Sequence, residues 1–424
     1  MELTLAYGKN GLQIDVPEKN VVKTLSMSNP VPIIDTYIEI TKTLLRPIGL
    51  NHSLFDMAKG RKSACILICD ITRPVPNKTL LPPILKTLHA AGLKHEDILI
   101  LVATGIHRPN LNNELIELVG EDIAKNYRVE NHYSNDLSSH KNLGKTSRGT
   151  DVWIDKRYIE SDFKITTGFI EPHLMAGFSG GRKLVVPGIA SIETMKVMHG
   201  PEMLSHPNSR EGIIEGNPFH EEALEIAKMA GTDFNVNVAL NEQRQICGIF
   251  SGELEQSHLE GIDFVRGHVK DTIPEPVDIV ITTSAGYPLD ATYYQTIKGL
   301  TAAMPVVKEG GTIIIASECS EGIGSKEFSE LVRESSDLDK FLHRIFHENY
   351  FVIDQWQLQE FTKVARKANI ILVSGGLTAE QKDSIHVPWA ESAKDALKLC
   401  FKRHGNDAKI VIIPKGPYIL AEIE

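Results

Sequence analysis

Cysteine is scarce and scattered in this sequence. The five, Cys65, Cys69, Cys247, Cys319 and Cys400, are odd in number and form no C-x-x-C pair. Neither a disulfide framework nor a cysteine zinc site is indicated, and free thiols in a reducing cytoplasm are expected. Long apolar runs are also missing. Stretches such as Thr312 to Ala316 fall far short of the roughly 20 residues that cross a bilayer. The first residues, MELTLAYGKN, have no basic segment followed by an apolar core, so no secretory leader is expected. Nor is there a long basic run. With 45 basic and 55 acidic residues the net charge is −10, a poor match for a nucleic-acid backbone or an anionic membrane. The 32 glycines and 21 prolines follow no triplet period, which excludes a collagen-like chain. No H-E-x-x-H, no carboxylate-rich metal loop, no internal repeat and no low-complexity tract occurs.

What is present is an ordinary globular composition, 42% hydrophobic and 24% charged, over 424 residues. At roughly 150 residues per domain, that length predicts two or three domains. Short Ile- and Val-rich runs alternate with helical patterns. Strands are predicted at 64–69, 97–103, 162–167, 277–283, 311–316, 369–373 and 409–413, with helices over 80–91, from 112, and over 291–304. Continuous apolar strands bounded by Gly and Pro imply parallel sheets covered on both faces. The expectation is therefore α/β, with two domains, each a mostly parallel sheet flanked by helices, and an active site in the cleft between them. The Pro- and charge-rich stretch 268–276 separates an N-terminal domain, 1–268, from a C-terminal one, 275–400. The last strand, within 405–424, is expected to pack back on the first domain, and residues 1–40 to be peripheral short strands.

In such sheets ligands sit beyond the carboxyl ends of the strands. Four strand ends carry charged or imidazole groups beside turn formers: Asp70-Ile71-Thr72-Arg73-Pro74, Gly105-Ile106-His107-Arg108-Pro109, Glu171-Pro172-His173, and Gly286-Tyr287-Pro288-Leu289-Asp290 with Tyr294, Gln295 and Lys298 on the helix that follows. Singly, each has a bland structural explanation; together they point to one site. The segment Gly177-Phe178-Ser179-Gly180-Gly181-Arg182-Lys183 is the most informative. Its glycines could bring backbone N–H groups close to a phosphate. It fails the P-loop pattern, because Arg182 precedes Lys183 and Leu184 follows, and it fails G-x-G-x-x-G. A mononucleotide-like phosphate still fits, and Lys183 is also a candidate covalent anchor. His199, just before Gly200, reads as a helix-capping histidine; as a metal ligand it would need partners from elsewhere.

The runs CDITRPVP, TGIHRP, EPHLMAGFSGGRKLVVPGIAS and GYPLDATYYQTIKG resemble the nickel-dependent lactate racemases and their 2-hydroxyacid racemase and epimerase relatives. The similarity runs from about residue 60 to the end. The resemblance implies a nickel-pincer nucleotide, the nickel complex of pyridinium-3,5-bisthiocarboxylic acid mononucleotide, attached at Lys183, with His199 as the protein ligand to nickel. It implies that Asp70, Thr72, Gly177, Ser179, Gly180, Gly181 and Arg182 border this cofactor, with the Gly-rich loop on its phosphate. His107 and His173 would be the acid–base pair, one for each enantiomer. Arg73 and Lys298 would hold the substrate carboxylate and the keto oxygen, with Gln295, Tyr294 and Trp356 around them. Asp70 would also orient a histidine or Arg73. The implied reaction is inversion at C2 of a 2-hydroxycarboxylate through a 2-keto acid, by proton-coupled hydride transfer.

At Leu174 and Met175 the chain departs from the aromatic pair of lactate racemases, so the preferred hydroxyacid stays open. Two other readings of Lys183 and its loop also stay open at this point: a Schiff-base lyase or aldolase, and a non-enzymatic phosphate-metabolite binder. The expected partners are a small 2-hydroxycarboxylate and the proteins that make the cofactor, with no nucleic acid and no membrane; the oligomeric state is left open.

Overall fold

The computed structural model describes residues 1–348 and 350–424. The chain builds two α/β units, each around a six-stranded sheet flanked by helices. The first sheet runs Ile246–Gly252, Phe234–Leu240, Phe163–Phe169, Ala64–Cys69, Ile98–Ala103 and Arg128–Asn131; only its Ile246–Gly252 edge is antiparallel. The second runs Trp389–Ala390, Asn369–Val373, Val307–Ala316, Val277–Thr283, Ile410–Ile413 and Val21–Thr24, all parallel.

The seven apolar runs form strands because helices cover both faces, so most positions along them are buried. Three strands of the first sheet escape that signature, one of them the polar edge Arg128–Asn131. Phe234–Leu240 alternates Phe and Val with Asn235 and Asn237, which are wholly buried. Asn235 Nδ2 donates to Ser257 Oγ at 2.8 Å, and Asn237 Nδ2 donates to Asn235 Oδ1 at 2.8 Å. Burial of these amides is tolerated because each finds a partner. Ile246–Gly252, with two glycines, is likewise weak in local pattern.

The ends of the chain correct two expectations. Ile410–Ile413 does not return to the first unit; it lies inside the second sheet, between Val277–Thr283 and Val21–Thr24. Four consecutive fully buried aliphatic side chains need cover on both faces, and that position supplies it. Leu420, further along, does join an apolar cluster with Ile170 and Phe178 of the first unit. Residues 1–25 are not peripheral either. The hairpin Glu2–Leu5 with Leu12–Asp15 packs Leu5, Ile14 and Val16 on Ile279, Ile281 and Ile412, and Val21–Thr24 closes the sheet edge. The chain thus passes between units twice, near Ser28 and near His268, where Ser28 N–H donates to the His268 carbonyl at 2.8 Å.

Each sheet also has a point where strand order reverses. In the first it falls between Ala64–Cys69 and Phe163–Phe169; in the second, between Val277–Thr283 and Ile410–Ile413. Such points open a crevice beyond the carboxyl ends of the strands.

Burying a Leu, Ile or Val side chain contributes about 1.5–3 kcal/mol. Deleting residues 1–25 removes four such side chains, Leu5, Ile14, Val16 and Leu25, and an edge strand, against a typical total of about 5–15 kcal/mol. The truncated protein is expected to lose cooperative melting of the second unit by calorimetry; an unaltered melting curve would refute this placement.

Candidate active site

Asp70, Thr72 and Arg73 follow the strand Ala64–Cys69, and His107 follows Ile98–Ala103. Asp70 Oδ1 accepts from the Thr72 hydroxyl at 2.6 Å, and Asp70 Oδ2 from His107 Nδ1 at 2.6 Å. Burial works to raise the Asp70 carboxyl, but the His107 contact, Thr72 and Arg73 together hold it below its ordinary range. The ionised carboxylate fixes the proton of His107 on Nδ1, which leaves Nε2 with a free lone pair on a half-exposed ring.

Glu171 and His173 follow the strand Phe163–Phe169, on the other side of the switch point. His173 Nδ1 accepts from the backbone N–H groups of Met175 and Ala176, at 3.2 and 3.3 Å. A neutral ring then carries its proton on Nε2, and that atom meets Lys183 Nζ at 2.6 Å. The contact requires an unprotonated amine as acceptor. Burial, then Arg73, Arg182 and Lys298, depress Lys183 well below an ordinary lysine, and burial with Lys183 depresses His173 likewise. Arg73 lies 3.6 Å from the Glu171 carboxylate. Lys298, from the helix Tyr293–Ala303 of the second unit, is pushed down to about 7 by burial and Arg73, against the opposing pull of Glu171. Arg73, Glu171, His173 and Lys298 line a small cavity of about 30 Å³ together with Leu289 and Tyr418.

His199 ends the helix Ile192–Met198 and is buried. Its Nδ1 donates to the Met195 carbonyl at 3.1 Å, so Nε2 holds the lone pair. Burial brings it down to about 4, which keeps it neutral. Phe219 connects it to Lys183: the His199 ring is 5.2 Å from the Phe219 ring, and Lys183 Nζ is 5.9 Å from it. Trp356 covers the other side at 4.9 Å and donates through Nε1 to the Tyr294 hydroxyl at 3.1 Å. Gln295 has a buried Oε1 with no hydrogen-bond partner.

Two family models match the chain: Lactate racemase N-terminal domain over residues 7–212, and Lactate racemase C-terminal domain over residues 273–420. A lactate racemase from Thermoanaerobacterium thermosaccharolyticum is 34% identical over 423 residues, covering 99% of this chain and 98% of the relative. One from Lactiplantibacillus plantarum is 35% identical over 421 residues, covering 98% of each. The chain belongs to the lactate racemase family. It is an isomerase. The solved lactate racemase apoprotein from T. thermosaccharolyticum superposes with a TM-score of 0.94 at 33% identity, over 99% of this chain and 100% of that one. A Thermotoga maritima structure at 17% identity, TM-score 0.70, covering 94% and 100%, shares the fold.

Lactate racemases are nickel-dependent. Among the described residues no group of three or more His, Cys, Asp or Glu side chains could cage a metal. The donor set at this site fits a metal brought by an organic group instead: one neutral imidazole, His199, and one unprotonated amine, Lys183, both packed on Phe219.

The Gly-rich loop is arranged differently from expectation. Arg182 is 1% exposed and turned inward, donating to the Ala176 carbonyl at 2.8 Å and contacting His258 Nε2 at 3.0 Å. The Gly181 N–H goes to Asn237 Oδ1 at 3.2 Å, the Ser179 N–H to the Glu171 carbonyl at 2.9 Å, and the Ser179 hydroxyl to the Phe169 carbonyl at 2.9 Å. A side chain on Gly177 would meet the Ile213 carbonyl at 2.1 Å, and one on Gly180 would meet Asn237 Oδ1 at 2.8 Å. These glycines admit neighbouring protein, because a tight loop and an open cradle need the same residue type. The expected contacts of Arg182, Ser179 and Gly181 with a phosphate are therefore corrected: in this structure they brace the loop that presents His173 and Lys183.

Glu171, Leu289 and Tyr418 were missed as cavity residues. Glu171 stood in the quoted EPH run and had a signal, its place directly after a strand. Tyr418 follows the misassigned strand Ile410–Ile413. A larger cavity, about 640 Å³, lies against Leu358, Phe361 and Ile370 and contains none of the predicted site residues.

Two outcomes are expected. Lys183, held unprotonated, should be acylated at pH 7 ahead of other lysines, as read by peptide mass spectrometry; labelling no faster than exposed lysines would contradict its neutral state. His199 has a folded pKa near 4 against 6.5 for the ordinary side chain. The unfolded chain then binds the proton first, so this contribution to stability is complete above pH 6.5 and drains away towards pH 4. Urea unfolding of His199→Phe should show a flatter pH dependence across that window, and an unchanged slope would refute the assignment.

Proposed function

We propose that this protein inverts C2 of a 2-hydroxycarboxylate, lactate being the first substrate to test, at an active site between its two units. The reading rests on one observation above others: His107 and His173 follow strands of one sheet on either side of Ala64–Cys69, with Nε2 a free acceptor on His107 and a donor, held by Lys183, on His173. A nickel-pincer nucleotide attached at Lys183, with His199 on nickel, would supply an acceptor and donor of hydride. The proteins that make such a cofactor are then implied partners.

The side chains divide the remaining work. Arg73 and Lys298 bind the substrate carboxylate and the oxygen at C2, Arg73 being suited to a two-pronged contact. The C2 hydrogen is poorly acidic because the adjacent carboxylate is already negative, so its departure as hydride is favoured when the hydroxyl proton leaves too. His107 Nε2 accepts that proton from one enantiomer, while Asp70 stabilises the imidazolium that forms. His173, with its proton on Nε2, donates a hydrogen bond to the oxygen on the opposite side. The reverse reaction needs the two rings in exchanged states, which imidazole reaches near neutral pH. Trp356 and Tyr294 exclude water above His199.

With cofactor-loaded enzyme, C2-deuterated lactate should racemise with the label retained; washout into solvent would refute hydride transfer. His107→Gln and His173→Gln should each lower kcat by about 10²–10⁴ with cofactor still bound, and full activity would end that assignment. His199→Ala should lose nickel by metal analysis. An adduct at Lys183 that appears only with a keto acid and borohydride would support a Schiff-base enzyme instead.

A further inference from the structure

The cavity of about 640 Å³ lies in the second unit, where one sheet edge is left half covered. Trp389–Ala390 pairs only with Leu372 and Val373, the last two residues of the strand Asn369–Val373. The chain that could cover the rest turns aside. His386 has φ 55°, and Pro388 accepts from the Leu372 N–H at 2.9 Å but has no N–H to return. Alternate residues of a strand direct their backbone groups to the same side. The N–H and C=O of Ile370 therefore face the open edge, as those of Leu372 face Trp389–Ala390. The cavity wraps this edge: Leu358 and Phe361 come from the apolar cluster on one face of the sheet, and Cys400 from that on the other.

The walls define what fits. The volume is that of a small-molecule site, about 300–1,000 Å³. A peptide that docks on a sheet edge draws on a run of backbone bonds, and here Ile370 alone offers them. The charged lining side chains are all basic or imidazole, Lys402, Arg403 and His386; all three are exposed, and no Asp or Glu lines the cavity. Asp337, beside the wall residues Ser336 and Leu338, spends its carboxylate as a helix cap, accepting from the Asp339 and Lys340 N–H groups at 3.0 Å each. A cationic ligand would meet like charges, and a neutral one would leave the basic groups unused.

We propose that this cavity binds an amphipathic monocarboxylate and acts as a regulatory site. The aliphatic tail lies against Leu358, Phe361 and Val387, and the carboxylate meets Lys402 and Arg403. The link to the active site is covalent. The helix Gln355–Lys367 supplies Leu358 and Phe361 to the cavity and also Trp356, whose ring is 4.9 Å from His199. Tyr293, in the cavity wall, precedes Tyr294, whose hydroxyl accepts from Trp356 at 3.1 Å and whose carbonyl accepts from Gln357 at 2.9 Å. An occupant thus bears on the helix that covers His199.

The test is calorimetric titration of the whole protein with octanoate, octan-1-ol and octylamine. Octanoate should bind about tenfold or more tightly than the other two. The double variant Lys402→Gln, Arg403→Gln, altered only at exposed positions, should erase that preference. Ala365→Phe, which fills the cavity from the same helix, should abolish binding. Equal binding of the three probes, no binding, or octanoate binding unchanged in both variants overturns the proposal. Saturating octanoate should also change the rate of Lys183 acylation by about twofold or more in the natural chain and not in Ala365→Phe; an unchanged rate overturns the regulatory role. A dimer that Ala365→Phe dissociates, read by sedimentation, would seat a second copy in the cavity and overturn the small ligand.

Discussion

Arg73, Lys298, the imidazole of His173 and the carboxyl groups of Glu171 and Glu211 line one small cavity, and Lys183 Nζ lies 2.6 Å from His173. Charges in low dielectric repel strongly and lose hydration, so this group cannot be fully ionised. The groups separate by role. Lys183 and His173 stay neutral, and Lys298 falls to about 7. A neutral lysine is a nucleophile, and a lysine near neutrality grips an anion more firmly once the anion arrives. The electrostatics of the site thus follow from crowding basic groups into a buried space.

Such crowding persists only if the backbone is held. The loop 176–183 is tied by Arg182 to the Ala176 carbonyl, by Asn237 to the Gly181 N–H, and by Ser179 to the strand before it. The Ala176 N–H, in turn, faces His173 Nδ1 and sets its tautomer. The glycines belong to this bracing. Gly180 and Gly181, both at positive φ, let the chain approach Asn237 and His258 more closely than a Cβ would permit. The precision of the pair His173 and Lys183 therefore depends on buried amides in the neighbouring strand.

Both sheets contribute at the place where their strand order reverses. Asp70 and His173 leave the first sheet on either side of its switch point; Leu289 and Tyr418 leave the second in the same way. Gly416, where a side chain would meet the Thr283 carbonyl at 1.7 Å, lets the tail cross the end of the neighbouring strand and deliver Tyr418. Two independent cores thus converge on one small volume, and the two chain passages between them tie its halves together.

The amino-acid sequence by itself determined the fold class and most of the cluster. Runs such as Ala64–Cys69 and Ile98–Ala103 are apolar at every position because both faces are covered, and that is a local property. The meeting of His173 and Lys298 at one cavity was legible because parallel sheets direct ligands to the ends of their strands, so position relative to a strand was enough. Only the tertiary structure decided which strands are neighbours, since four-residue segments such as Val21–Thr24 and Ile410–Ile413 carry no mark of the sheet that accepts them. It alone turned Arg182 inward, because the same glycines serve a phosphate cradle and a tight protein contact. It alone brought Glu171, Glu211 and Tyr418 to the site from segments that share no local pattern. Contacts between distant segments depend on how cores pack, and packing is a property of the whole chain.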